Sequence, residues 1–248
     1  MKLRILGPFA PYAPVDRACN GYLVESGETR VMLDCGNGAF AKMQKYCDFR
    51  RLNALIITHY HPDHFHDYHC VRHAVAGSLR DGSRREPLLV FAPGEGEPWV
   101  EMSEWQGVFE LRAVEDYLGQ FAGIGDISFY FQQNIHSVPS FAVSLSNGFN
   151  KIVYTSDTRW YERLADFAKE ADILLCEASQ LNADYEISMA KGHLTGGQAG
   201  YLAAQAGVKH LVLTHLWPEM DYRALAAEAA DVFDGEITLA KEGLSFLA

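Results

Sequence analysis

No Cys-x-x-Cys pair occurs anywhere in the chain, and its five cysteines (Cys19, Cys35, Cys47, Cys70 and Cys176) are odd in number and irregular in spacing. That argues against a disulfide framework and for a reducing, cytoplasmic setting. No apolar run approaches the roughly 20 residues that a membrane span needs, and the stretch from Leu3 to Leu6 is too short for a secretion signal. A basic excess is missing as well: Lys and Arg number 21 against 32 Asp and Glu, for a formal net charge of −11. Nucleic-acid binders normally carry a basic stripe, so long RNA is disfavoured as a partner. There is no low-complexity tract, short repeat or evident linker. What remains is 48% hydrophobic and 21% charged over 248 residues, the balance of a soluble globular protein with length enough for a substantial core. A single domain over residues 1–248 is expected.

Strand-like and helix-like segments alternate along the chain. Strand patterns fall at 20–26, 30–34, 55–57, 88–91, 126–133, 141–146, 152–155, 173–176 and 211–213, and helical patterns at 39–47, 160–170, 196–207 and 222–233. This is the signature of a layered α/β fold. Four of the strands run into polar, reactive residues: His59, Asp157, Glu177 and His215. Strand ends on one edge of a sheet can converge on one site although they are far apart in sequence.

Within six residues stand His59, His61, Asp63 and His64. Imidazole and carboxylate are the donors that zinc and similar ions favour. His59 and His61 are two apart in an extended loop and can address one ion. Asp63 and His64 lie where the chain turns into a helix and can address a second. Each ion wants about four ligands, so further His and Asp are required. His136, Asp157 and His215 follow successive strands and meet that need, and the two carboxylate oxygens of Asp157 suit a bridge. Phe65, Tyr68 and Val71 repeat at helical spacing as core positions. His66, His69 and His73 share one helical face, read as a solvated face rather than a further metal site.

On these residues the chain resembles the metallo-β-lactamase superfamily. Gly21-Tyr22-Leu23-Val24 and Val31 to Gly36 correspond to its opening strands and first Asp motif, Thr58 to His64 to its HxHxDH motif, and His136, Asp157 and His215 to its later ligands. The resemblance implies an α/β fold of αββα layers with a two-metal site. It places His59, His61 and His136 on one ion, Asp63, His64 and His215 on the other, and Asp157 between them. The ions expected are two divalent cations, zinc first and manganese second. Asp34 would orient a ligand histidine, although a turn Asp before a glycine-rich loop reads the same way.

Members differ in chemistry. Zinc β-lactamases usually have Cys where this chain has Asp157, and flavodiiron proteins usually have Glu where it has His61, so both activities are disfavoured. Cys176-Glu177-Ala178-Ser179 and Lys191-Gly192-His193-Leu194-Thr195 resemble the ribonuclease Z and phosphodiesterase branch. That likeness implies His193 as the acid that protonates the leaving group, with Glu177 orienting it, and Asp63 as a proton acceptor besides a ligand. His193 could instead simply precede a helix capped by Thr195. Ribonuclease Z proper inserts a long tRNA-gripping arm between the third His motif and the bridging Asp, but only 20 residues separate His136 from Asp157 here. The expected substrate is therefore a small molecule or short nucleotide phosphodiester, and a homodimer is a possible assembly. A thioester, lactone or other carboxylic ester hydrolase on the same site is the alternative, and a non-catalytic metal-binding protein is a third reading. Tyr60, Trp160 and Trp217 adjoin ligand motifs and read as pocket walls or as packing support. Trp99 and Trp105 lie in an irregular 92–110 stretch that could form a lid.

Overall fold

Hydrophobic side chains alternate in direction along most strands, and this alternation builds the molecule from two sheets laid face to face. The computed structural model describes every residue from Met1 to Ala248. The first half supplies strands β1 (Lys2–Gly7), β2 (Gly21–Ser26), β3 (Thr29–Leu33), β4 (Ala54–Ile56), β5 (Leu88–Ala92) and β6 (Phe109–Ala113). Helices α1 (Ala39–Met43), α2 (Pro62–Phe65), α3 (Tyr68–Arg80) and α4 (Glu97–Ser103) lie between them. The second half supplies β7 (Ala122–Ile124), β8 (Ile127–Gln133), β9 (Phe141–Ser146), β10 (Lys151–Tyr154), β11 (Ile173–Glu177), β12 (His210–Thr214) and β13 (Glu236–Leu239). Its helices are α5 (Arg163–Ala168), α6 (Tyr185–Lys191), α7 (Gly196–Ala206) and α8 (Tyr222–Ala230). Strand β14 (Ser245–Leu247) returns to the first sheet, whose order is β14-β1-β2-β3-β4-β5-β6; the second runs β13-β12-β11-β10-β9-β8-β7.

Each sheet is mixed. β3 to β6 are parallel, as are β10 to β13, and the remaining pairs are antiparallel. Tyr22, Val24, Val31, Leu33 and Ile56 of one sheet meet Phe129, Phe131, Val143, Ile152, Tyr154 and Leu175 of the other in a core between the sheets. The intervening residues face outward. Leu23, Met32 and Leu55 join a core that holds α1 and α3, while Val153, Leu174, Cys176, Leu211 and Leu213 join one under α5, α7 and α8. The layers are thus helix, sheet, sheet, helix, the expected αββα sandwich. β11 is buried at every position, as a parallel strand covered on both faces must be.

The 92–110 stretch departs from the lid expectation. Residues Glu97–Ser103 form α4, and Trp99 and Trp105 pack partly buried against the outer core of the first sheet. Arg72 lies over the Trp105 ring, 4.3 Å from its centroid, and His73 meets its edge, which fixes the segment. Strands β1, β6, β7, β13 and β14 and helix α6 add to the elements expected from sequence.

Candidate metal centre

The C-terminal ends of the parallel strands from both sheets open on one edge, and there the chain leaves regular structure with its polar residues. β3 runs into Asp34, β4 through Ile57-Thr58 into His59, β10 into Asp157, and β12 into His215; Glu177 closes β11. Asp34, Ser156 and His215 all have positive φ (53°, 52° and 58°), a conformation that costs energy in a non-glycine residue and turns each chain sharply at the rim. The side-chain parity of β11 holds to its last residue: Ile173 and Leu175 face the other sheet, and Glu177 follows in the same phase. α2 is a single turn that starts with Pro62 and carries both Asp63 and His64.

Seven side chains converge. The donor atoms of His59, His61, His136 and Asp157 lie within 4.8 Å of one another, as do those of Asp63, His64 and His215. His61 Nδ1 is 3.1 Å from both His59 Nε2 and His136 Nε2. Asp157 stands between the two groups: Oδ2 lies 3.5 Å from His59 Nε2 and 3.0 Å from His215 Nε2, and Oδ1 lies 3.2 Å from His64 Nε2. Yet Asp157 Oδ1 and His215 Nε2 are buried without a hydrogen-bond partner. Buried polar atoms normally find partners. Orphaned atoms within a converging set of N and O donors are what a pair of divalent cations would satisfy, so the residues fit such ions.

The back side of each imidazole is held. His136 Nδ1 donates to the Gly192 carbonyl at 2.9 Å, an acceptor only, which leaves Nε2 as a lone pair toward the centre. His64 Nδ1 donates to Asp34 Oδ2 at 2.7 Å. Asp34 also accepts from the Thr58 N–H, the Thr58 hydroxyl and the Tyr154 hydroxyl. His215 Nδ1 contacts Ser179 Oγ at 2.6 Å, and that hydroxyl donates to Glu177 Oε2 at 2.8 Å. Partners of this kind fix the tautomer and ring angle of a metal-binding histidine. Three were not visible in the sequence: Asn20, whose Nδ2 reaches Asp63 Oδ2 and His64 Nε2; Asn134, which donates to the Thr155 and Asp157 carbonyls; and Ser179. Asn20 and Asn134 belong to no local pattern, and Ser179, although it ends the Cys176 to Ser179 motif, reaches His215 only across the fold.

Burial and charge divide the histidines. Burial, followed by the neighbouring His64, pushes His59 down to about 3. Burial likewise lowers His61 and His136, so these three are neutral and offer lone pairs. Burial opposes the charge on His215 too, but the Asp157 carboxylate overrides it and carries His215 up to about 10. His64 is raised in the same way against its burial, by Asp157, Asp63 and Asp34. Burial works against both acidic groups, yet the histidines hold Asp63 and Asp157 below the usual carboxylate range.

His193 stands over this cluster. Its ring centroid lies 5.1 Å from that of His136 and 5.2 Å from that of His215. Nδ1 is 3.1 Å from Glu177 Oε1, an oxygen that also accepts the Thr158 N–H. Burial disfavours the imidazolium, but the Glu177 carboxylate outweighs it and raises His193 above its ordinary value. Thr195 caps α7 with a full capping box, so the segment carries both the His193–Glu177 contact and a helix cap. Of the aromatic residues, Trp217 lines a cleft of about 160 Å³ with His193 and His215. Tyr60 instead donates to the Pro93 carbonyl and packs on Phe65. Trp160 lies against Tyr201 in a separate cleft, away from the ligands, because the chain turns off toward α5 immediately after Asp157. His66, His69 and His73 stay outside the converging groups, with His66 and His73 exposed. Cys19 lines a third cleft beside Asp63; burial and the Asp63 charge push its thiol up to about 12, so it is no nucleophile.

This fold and donor set define a metallo-hydrolase, and the comparisons with known proteins agree. Residues 29–216 match the Beta-lactamase superfamily domain, and the chain belongs to the metallo-β-lactamase superfamily. It is 29% identical to the protein named "Probable metallo-hydrolase YhfI" of Bacillus subtilis over 245 residues, covering 98% of each chain. The crystal structure of YhfI superposes with a TM-score of 0.94 over 99% of this chain and 98% of that one, at 26% identity. Ribonuclease Z of Thermobifida fusca is 26% identical over 299 residues, 97% of this chain and 92% of the relative. The short form of human tRNase Z shares the fold, with a TM-score of 0.77 and 21% identity over 100% of this chain and 99% of that one. Proteins of this fold bind divalent metals. No helix here is long and apolar enough to cross a membrane.

Proposed function

We propose that the chain is a dinuclear metal-dependent phosphodiesterase acting on small or short-nucleotide diesters. His59, His61 and His136 would hold one ion, Asp63, His64 and His215 the other, and Asp157 both, with zinc favoured by the all-imidazole and carboxylate donor set. Ions bound there supply Lewis acidity, which acidifies water and offsets negative charge on the phosphoryl oxygens. The protein supplies the rest. Asp63, held anionic by His64 and His215, accepts a proton from the attacking water. As the bond from that water oxygen to phosphorus forms and the bond to the leaving oxygen breaks, His193 gives its proton to the departing oxygen.

The observation that carries this reading is the His193–Glu177 pair at 3.1 Å, set against the donor cluster. A protein that only stores metal has no use for an imidazole held by a buried carboxylate at the mouth of the site. The interval between His136 and Asp157 contains only β9, a short turn and β10, which supports a small substrate over tRNA. We predict that His193→Ala lowers turnover of an alkyl phosphodiester by about 10²–10⁴-fold and that of bis-p-nitrophenyl phosphate far less, since p-nitrophenolate needs little protonation. Steady-state kinetics beside metal analysis check this. Equal losses on both substrates, or loss of metal with the histidine, would contradict the acid role. Faster turnover of a thioester or lactone than of any diester would favour carboxylic ester hydrolysis instead.

A further inference from the structure

Two cations stand beside the donor cluster with no partner of opposite charge. A cleft of about 240 Å³ opens next to His136, lined by Ile135, Ser137, Arg159, Met189 and Lys191 among others. Lys191 also lines the neighbouring cleft of about 160 Å³ that holds His193, His215 and Trp217. It therefore stands where the two spaces meet, with Arg159 on the wall of the first. Neither cleft has an Asp or Glu in its lining. Both side chains are exposed, and neither forms an ion pair, whereas Lys2, Arg17, Arg30, Lys42, Arg51 and Arg72 all do. In a chain with 32 acidic and 21 basic residues, unpaired cations on one flank of a catalytic centre are a local reversal of the overall charge.

Their backbone is tied to the centre. The Arg159 N–H donates to the Ile135 carbonyl at 3.0 Å, one residue before His136. Lys191 is the last residue of α6 and is followed by Gly192, whose carbonyl receives His136 Nδ1. Both cations are thus mounted on segments hydrogen-bonded to the same ligand loop. The third cleft, beside Asp63, carries no Lys or Arg, so the charge is one-sided.

Resting on the diesterase reading above, we propose that Arg159 and Lys191 form an anion subsite for a second phosphate of the substrate. A simple diester carries one negative charge, which the centre itself accommodates. Cations beyond the centre call for another anionic group on the same molecule. The substrate class is then a short nucleotide diester that bears a terminal phosphomonoester, and Lys191 and Arg159 select it by charge-assisted hydrogen bonds.

The test compares the metal-loaded protein on the dinucleotides pApA and ApA, with bis-p-nitrophenyl phosphate as a diester lacking any second phosphate. Expected is a kcat/KM ratio for pApA over ApA of about tenfold or more, the scale of one or two hydrogen bonds to a charged group. In the double variant Arg159→Met/Lys191→Met the ratio falls toward one, and in Lys209→Met, at the opposite end of β12, it persists. A ratio near one in the wild type, with bis-p-nitrophenyl phosphate cleaved, overturns the subsite and leaves the diesterase reading standing. A ratio retained in the double variant overturns the assignment to these residues. No cleavage of any diester overturns the diesterase reading and the subsite with it.

Discussion

His136 keeps a lone pair toward the centre because Gly192 has no side chain. Gly192 sits at φ +80°, and a Cβ there would lie 2.8 Å from His136 Nδ1 and 3.1 Å from its Cα. Both the backbone conformation and the space demand glycine. We predict that Gly192→Ala displaces His136 and weakens metal binding by about 10–100-fold, the usual cost of disturbing a ligand's supporting partner. Competition against a chelating dye measures it, with circular dichroism to confirm the fold. Unchanged affinity would show that His136 does not bind metal. The convergence of these donors was legible in the sequence because chemistry concentrates at strand ends: His59 to His64 announce the cluster, and His136, Asp157 and His215 each follow a strand pattern. Gly192, Asn20 and Ser179 were not legible as supports, since they act on residues 56, 44 and 36 positions away through contacts that only the folded chain creates.

At the scale of elements, the segment that runs from Glu177 through α6 to the start of α7 decides where His193 sits. His193 is two residues ahead of the Thr195 cap, whose hydroxyl accepts the Gln198 N–H and donates to Asn182 Oδ1 at 2.7 Å. Thr195→Ala should cost about 1 kcal/mol of stability by losing the cap. Urea denaturation checks this, and an unchanged midpoint would mean that the capping box contributes nothing. The elements easiest to read were the parallel strands β10, β11 and β12, with the continuous apolar runs Ile152-Val153, Ile173 to Cys176 and Leu211 to Leu213. Edge strands were harder. β6 alternates Phe109, Leu111 and Ala113 with Glu110 and Arg112, but only Phe109 is buried, and β14 is three residues long and largely exposed, so neither stands out as a core strand. β1 alternates Lys2 and Arg4 with Leu3 and Ile5 over too few residues to separate from coil. α4 was obscured by Pro93, Gly94, Gly96 and Pro98, although Pro98 stands in its first turn, where a proline is tolerated.

At the scale of the whole molecule, the buried charges make stability and metal occupancy depend on pH. His215, carried up to about 10 in the fold, gives stability that is complete below its ordinary value near 6.5 and is lost as pH rises toward 10. His59, pushed down to about 3, works the other way. The unfolded chain takes up its proton below pH 6.5 and the folded chain does not, so stability falls from there toward pH 3. Asp157, lowered in the fold, adds to the acid loss. The metal-free protein should therefore be most stable near neutral pH. Ions displace the His215 proton, so the alkaline decline should flatten when metal is bound, and metal affinity should rise with pH. Thermal midpoints from pH 4 to 10, with and without a chelator, test both limbs; parallel profiles would contradict the placement of His215 at an ion.

The proposed function requires two ions held by seven side chains, Asp157 among them. The most direct measurement is a titration of chelator-stripped protein with zinc, following bis-p-nitrophenyl phosphate turnover and bound metal together. Activity is expected to reach its plateau at two ions per chain and to be abolished in Asp157→Ala. A plateau at one ion, or a fully loaded protein that leaves the diester intact, would contradict it.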